Sequence, residues 1–237
     1  MLFLTYGDSM KLIKNILKSS KEIIITYLLS YLIIIISCLI YTILGHHNLD
    51  KFLNNICSYI LLLFYFLTII YLLKKNYQKE PSLPIKNYFP LILLGTSIAT
   101  LFNMIYFYFY LPPKSSTISI LLAIISSGII GPIYEEILFR YLLYNRLKKH
   151  YSLHKSKLIT TIIFALIHLN PIKIIYAFIL GYILNINYEY HHNIIAPILI
   201  HISANIIVIF LFEYNTYILL LSIINLLVSI KLNFTTK

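Results

Sequence analysis

A few side chains able to do chemistry interrupt stretches of sequence that are otherwise almost wholly apolar: Glu135, Glu136 and Arg140, then His168, then His201 and Asn205. Ionisable groups within such stretches are costly, so each reads first as part of a functional site. Glu136 and Arg140 stand four residues apart, on one helical face, where they can pair. Glu135 is turned about 100° away by the helical repeat and can address a different neighbour. The two carboxylates thus divide into a structural Glu136, neutralised by Arg140, and a chemical Glu135. His201 and Asn205 repeat the four-residue spacing, as do Phe164 and His168, with Phe164 as a packing wall. A carboxylate and an imidazole around one water form a general base, Glu135 taking the proton and His168 orienting the water or sharing the proton. His201 and Asn205 can donate hydrogen bonds to the oxygen of a tetrahedral intermediate. Together these groups suffice to hydrolyse an amide. Glu135, His168 and His201 could instead hold zinc, with water as fourth ligand, although the chain has no His-Glu-x-x-His. Ser203 lies off the face shared by His201 and Asn205, and Cys38 and Cys57 sit in distant apolar runs, so no serine or cysteine nucleophile is indicated.

The elements that carry these residues belong in a bilayer. Of 237 residues, 59% are hydrophobic and only 11% charged, with a mean hydropathy of +0.84. Ordinary soluble domains are about 25% charged. Eight apolar segments can be counted, at about 23–44, 54–73, 89–111, 117–143, 157–169, 171–187, 193–212 and 216–231. The expected fold is all-α, a polytopic helical bundle of about eight transmembrane helices. The fifth and sixth segments are short and form a hairpin in which Pro171 opens the second helix. The net charge of +11 is a topology signal rather than a sign of nucleic-acid binding. With a cytoplasmic N-terminus, sixteen of the nineteen Lys and Arg fall on the cytoplasmic side, leaving only Lys51, Lys114 and Lys173 opposite. That bias places both termini in the cytoplasm. At about 1.5 Å per residue, Glu135 and His201 come to depths of roughly 12 Å and His168 to roughly 16 Å, so three helices bring their polar groups to nearly one level.

Just before the carboxylates, Ser126, Ser127, Gly128 and Gly131 permit close helix approach, and Pro132 removes the backbone bond to Gly128. The resulting kink could open a wet cavity beside Glu135. Ala177 and Gly181 read as a small-residue helix contact without chemistry. In the leader, Met10, Ile13, Ile16 and Leu17 recur at helical spacing among lysines, fitting either an interfacial helix or a disordered basic tail.

Three motifs, Glu135-Glu136-Ile-Leu-Phe-Arg140, Phe164-Ala-Leu-Ile-His168 and His201-Ile-Ser-Ala-Asn205, resemble the Glu-Glu-x-x-x-Arg, Phe-x-x-x-His and His-x-x-x-Asn signatures of the CAAX protease and bacteriocin-processing (Abi-type) intramembrane proteases. They occur in order with intact spacing. The resemblance implies that Glu135 and His168 activate water, that His201 and Asn205 form the oxyanion hole, and that Glu136 and Arg140 are structural. It divides the chain into a basic leader (1–22), helices outside the resemblance (23–116), a protease core (117–212) and a last helix with a short basic tail (213–237). It further implies an endopeptidase of the type II CAAX prenyl protease kind, acting on a hydrophobic membrane-associated peptide or lipidated protein: a CAAX-like C-terminus, or a bacteriocin or pheromone precursor; on metal dependence the family allows either answer, and a metal-independent glutamate mechanism is favoured here. Richness in Ile, Lys, Asn and Tyr suggests an A+T-rich genome, and with it a bacterial cell membrane. A non-catalytic bacteriocin-immunity or scaffold protein of the same fold is the alternative, and a transporter using the same buried groups is a third.

Overall fold

The computed structural model describes residues 6–44, 50–110, 119–211 and 213–235. Lys114 and Lys237 of the charge partition, and residues 111, 117, 118 and 212 at the ends of expected segments, lie outside them. Among the described residues there are nine helices and no strand: α1 (Tyr6–Ser19), α2 (Lys21–Leu44), α3 (Asp50–Lys75), α4 (Tyr88–Phe109), α5 (Ile120–Leu147), α6 (Leu153–Leu166), α7 (Pro171–His191), α8 (Ile195–Ile209) and α9 (Thr216–Thr235). Each expected apolar segment holds a helix. Six of them, α2, α3, α4, α5, α7 and α9, are long and apolar enough to cross a membrane. The chain is an integral membrane protein. The count of eight spans is narrowed by α6 and α8, which have 14 and 15 residues and so reach only about 21 and 22 Å, short of a hydrocarbon core of about 30 Å.

Helix ends follow local chemistry. Asn170 caps α7, its Oδ1 accepting from the backbone N–H groups of Ile172 and Lys173 at 3.0 and 3.1 Å. Pro171 takes the first helical position, where its missing N–H is harmless. Ser152 caps α6 by accepting from the Lys155 N–H, which starts that helix four residues earlier than expected and ends it at Leu166.

Two apolar clusters hold the bundle. One joins α2, α3, α5, α6 and α7 around Leu72, Leu138, Phe139, Leu143 and Phe164. The other joins α4, α7 and α8 around Leu91, Leu94, Ala99, Leu184 and Ile200. The contact of α4 with α8 is so close that a Cβ on Gly95 would lie 2.1 Å from the Ile200 carbonyl oxygen. Only a glycine permits that approach, because the obstruction is backbone and cannot swing aside.

The leader is helical, and α1 docks on the end of α5: Ile16 packs against the first cluster, and Asn15 donates to the Tyr151 hydroxyl at 3.2 Å. Met10, Ile13 and Leu17 stay exposed on its other side, the face expected to meet lipid. Arg146 pairs with both carboxylate oxygens of Glu22 and donates to the Ser19 carbonyl, tying α5 to the α1–α2 junction. The segment between α3 and α4 is pinned as well. Glu80 accepts from the Tyr188 hydroxyl at 2.9 Å and from the Ile194 backbone N–H at 2.7 Å, just before α8 begins.

Candidate active site

The polar residues converge on α5, whose backbone is irregular. Ile124–Ile130 and Ile137–Tyr144 form wide, π-type turns, and the Gly131 N–H reaches back five residues to the Ser126 carbonyl. Pro132 has no N–H for Gly128, so the regular ladder is already interrupted there. Widened turns of this kind recur at functional sites. Between the two wide stretches, the short regular segment Gly131–Glu136 carries both glutamates.

Glu136 is fully buried, and its Oε1 takes two hydrogen bonds. Arg140 Nη1 donates at 2.9 Å and His201 Nδ1 stands at 2.7 Å. The Arg140 guanidinium is equally buried, donates from Nη2 to the Gly181 carbonyl at 3.0 Å, and lies 4.4 Å from the centre of the Phe164 ring. A buried ion pair is stable only when further partners satisfy both groups. Here the partners are an imidazole, a carbonyl and an aromatic face, while Glu136 Oε2 and Arg140 Nε stay buried without a hydrogen bond. Glu136 is therefore more than a counter-ion, because it also holds the ring of a residue from another helix.

Glu135 does not turn to a separate neighbour. Its Oε2 lies 3.8 Å from Nε2 of the same His201, so consecutive glutamates flank opposite nitrogens of one imidazole. Glu135 keeps 24% of its side chain exposed, whereas Glu136 keeps none. Space for a reactant therefore lies on the Glu135 side.

His168 sits just beyond the end of α6, with its Nδ1 2.9 Å from the Phe164 carbonyl. The residue after it, Leu169, has φ 56°, a left-handed conformation that costs a non-glycine residue roughly 1–2 kcal/mol. Phe164 stands against both histidines, its ring centre 5.1 Å from that of His168 and 5.9 Å from that of His201. It is the expected wall, and it also seats the guanidinium. Asn205 donates from Nδ2 to the Ser127 carbonyl at 2.9 Å. An amide nitrogen carries two N–H groups, so one stays available for a second acceptor.

Gly181 has a larger part than its small-residue spacing suggests. A Cβ there would lie 2.8 Å from Phe164 Cδ1 and 3.3 Å from Arg140 Nη2. The glycine lets α7 present its carbonyl to Arg140. Its spacing from Ala177 signals close packing but carries no mark of the ligand it supports.

Among the described residues, no three or more His, Cys, Asp or Glu side chains are disposed to hold a metal ion. Glu135, His168 and His201 do not form such a group. A cavity of about 400 Å³ lies between α4, α7 and α9, bounded by Leu94, Phe102, Tyr176 and Leu226 among others. None of the site residues lines it.

This arrangement, a buried Glu–Arg pair orienting one imidazole beside a more open carboxylate, falls within the segment that matches a known family. Residues 116–207 match the family model of type II CAAX prenyl endopeptidase Rce1-like proteins. That segment is similar to the Rce1-like family. Comparisons with curated proteins and with solved structures return no match. The Rce1-like segment includes α5 to α7 and most of α8, and with them Glu135, Glu136, Arg140, Phe164, His168, Gly181, His201 and Asn205. The match points to a protease, hence a hydrolase. Helices α1 to α4 and α9 lie outside it.

Proposed function

We propose that the protein is an intramembrane endopeptidase of the CAAX prenyl protease type in which Glu135 activates water. The observation that carries this reading is the unequal treatment of two adjacent carboxylates. Glu136 is consumed by Arg140 and His201, whereas Glu135 is partly open and 3.8 Å from His201 Nε2.

In the proposed reaction, a water held between Glu135 and His168 gives its proton to the Glu135 carboxylate as its oxygen bonds to the scissile carbonyl carbon. Negative charge gathers on the carbonyl oxygen, which accepts from the spare Asn205 N–H and from His201. With Nδ1 directed at Glu136, Nε2 is the His201 nitrogen left to meet the reacting centre. It donates when the ring carries both protons. The intermediate collapses by breaking the C–N bond, and the proton on Glu135 passes to the leaving amine. The products are a carboxylic acid, which passes its proton to the amine or to water, and a free amine, and Glu135 is regenerated.

The substrate class is a hydrophobic, membrane-associated peptide or protein C-terminus: a CAAX-like end, or a bacteriocin or pheromone precursor. The lysine bias assigns the Arg146 end of α5 and both termini to the cytoplasm, in a bacterial cell membrane. Incubating purified protein with farnesylated CAAX peptides and hydrophobic leader peptides, with and without chelator, tests the reading by mass spectrometry. Internal cleavage of at least one peptide, undiminished by chelator, is expected. Binding without cleavage across the whole panel would instead support a non-catalytic immunity or scaffold role.

A further inference from the structure

The wide turns of α5 redistribute its main-chain hydrogen bonds, and one carbonyl is left over. In a regular helix the Ser127 carbonyl would accept from the N–H four residues on, at Gly131, and in a π-type turn from the N–H five residues on, at position 132. The Gly131 N–H goes instead to the Ser126 carbonyl, and position 132 is Pro132, which has no N–H. Ser127 therefore loses both donors that the helix could offer. Neither feature does this alone. With Gly131 in regular register Ser127 would keep its partner, and with any other residue at 132 the wide register would supply one.

The carbonyl so released is taken by α8, where Asn205 Nδ2 donates to it at 2.9 Å. Close packing brings the two within reach. A Cβ on Gly128, the next residue, would lie 3.1 Å from Ile206 Cγ1 and 3.6 Å from Ile209 Cδ1, so α8 rests on α5 immediately beside this bond. The bond uses one of the two Asn205 N–H groups and fixes the plane of the amide, and with it the direction of the second N–H. That second N–H is the one proposed to meet the carbonyl oxygen of the substrate. Donors of this kind are effective when they are already aimed at the place where charge develops.

We infer that Pro132 is a positioning residue for the reaction: by withholding an N–H from the Ser127 carbonyl within a wide turn, it leaves that carbonyl to hold Asn205 in the direction an oxyanion donor needs. This rests on the peptidase reading and gives Pro132 a task beyond kinking the helix. A restored N–H at position 132 would supply the missing donor in either register. In the wide turn it reaches Ser127 directly, and in a regularised helix it takes Gly128 while the Gly131 N–H returns to Ser127. A carbonyl can accept twice, but a main-chain donor draws it back along the helix axis and away from α8.

The test compares full-length wild type, Pro132→Ala, Asn205→Ala and the double variant by thermal unfolding and by steady-state cleavage of an internally quenched farnesylated CAAX peptide. Labelling with nitrogen-15 asparagine adds a readout independent of cleavage, the Asn205 side-chain amide signal, identified by its absence from Asn205→Ala. Pro132→Ala should unfold at the same or a higher temperature, because a proline is removed from a helix interior, and its Asn205 amide signal should shift and exchange faster with water. The kcat should fall about tenfold or more, with KM within about twofold of wild type. In the Asn205→Ala background the same change should alter kcat by less than about twofold, because Pro132 acts through Asn205. An equal fall in kcat in both backgrounds, an unchanged kcat, a lowered unfolding temperature or an Asn205 amide signal that does not move would overturn the role given to Pro132. Failure of wild type to cleave this peptide would overturn the CAAX-type activity itself, and the amide signal would still decide whether Pro132 governs the Asn205 contact.

Discussion

His201 Nδ1 lies 2.7 Å from Glu136 Oε1, on the same carboxylate oxygen that receives Arg140. A carboxylate paired with a guanidinium accepts and does not donate, so the proton between the two residues belongs to His201 Nδ1. Nitrogen-15 spectra of histidine-labelled protein should therefore show His201 protonated at Nδ1. Glu136→Gln should remove that preference, and a native ring protonated only at Nε2 would contradict the assignment.

Removing one member of the buried pair should cost more than an ordinary surface change. Glu136→Ala leaves the Arg140 guanidinium buried without its counter-ion, and such losses are typically about 3–5 kcal/mol. Denaturant unfolding in detergent should show this for Glu136→Ala and for Arg140→Ala. Near-native stability of either variant would mean that the pair is not what holds α5 and α7 together here.

Gly181→Ala adds one methyl where Phe164 and Arg140 already stand at 2.8 and 3.3 Å from its place. Overpacking of this kind costs roughly 1–3 kcal/mol. Because the displaced groups are those seating the Glu136–His201 contact, kcat should fall by about tenfold or more while KM changes little. Ala177→Gly, one turn away, supplies the comparison, and a kcat drop equal to that of Gly181→Ala would show general loosening of α7 instead.

Much of this arrangement could be read from the chain before any coordinates. The four-residue spacings Glu136–Arg140, Phe164–His168 and His201–Asn205 predict shared helical faces, and the Asn170–Pro171 pair predicts where α7 begins; the first and third pairs and the α7 start form accordingly, whereas α6 ends at Leu166, before His168. What escaped reading depends on partners far away in the chain. The link from Glu136 to His201 spans 65 positions, and the link from Arg140 to the Gly181 carbonyl spans 41. Neither leaves a local pattern. The rotation that separates Glu135 from Glu136 suggests different neighbours, but one ring large enough to meet both lies between them. Nor does an apolar run reveal which of its tyrosines faces inward: Tyr27 looks like any other aromatic residue of α2 until Tyr65 and Tyr134 are placed beside it. The short length of α6 could be read, but α7, also expected short, runs 21 residues to His191, and the expected twenty-residue run of α8 shortens to Ile195–Ile209.

The central claim is that Glu135 is the base. Cleavage of a peptide that wild type hydrolyses, measured with Glu135→Gln at matched folded concentration, tests it most directly. Loss of a positioned general base should lower kcat by about 10²- to 10⁴-fold, with unfolding temperature and peptide binding retained, because Glu135 takes part in neither buried hydrogen bond of Glu136. A Glu135→Gln protein that cleaves at the wild-type rate would contradict the account.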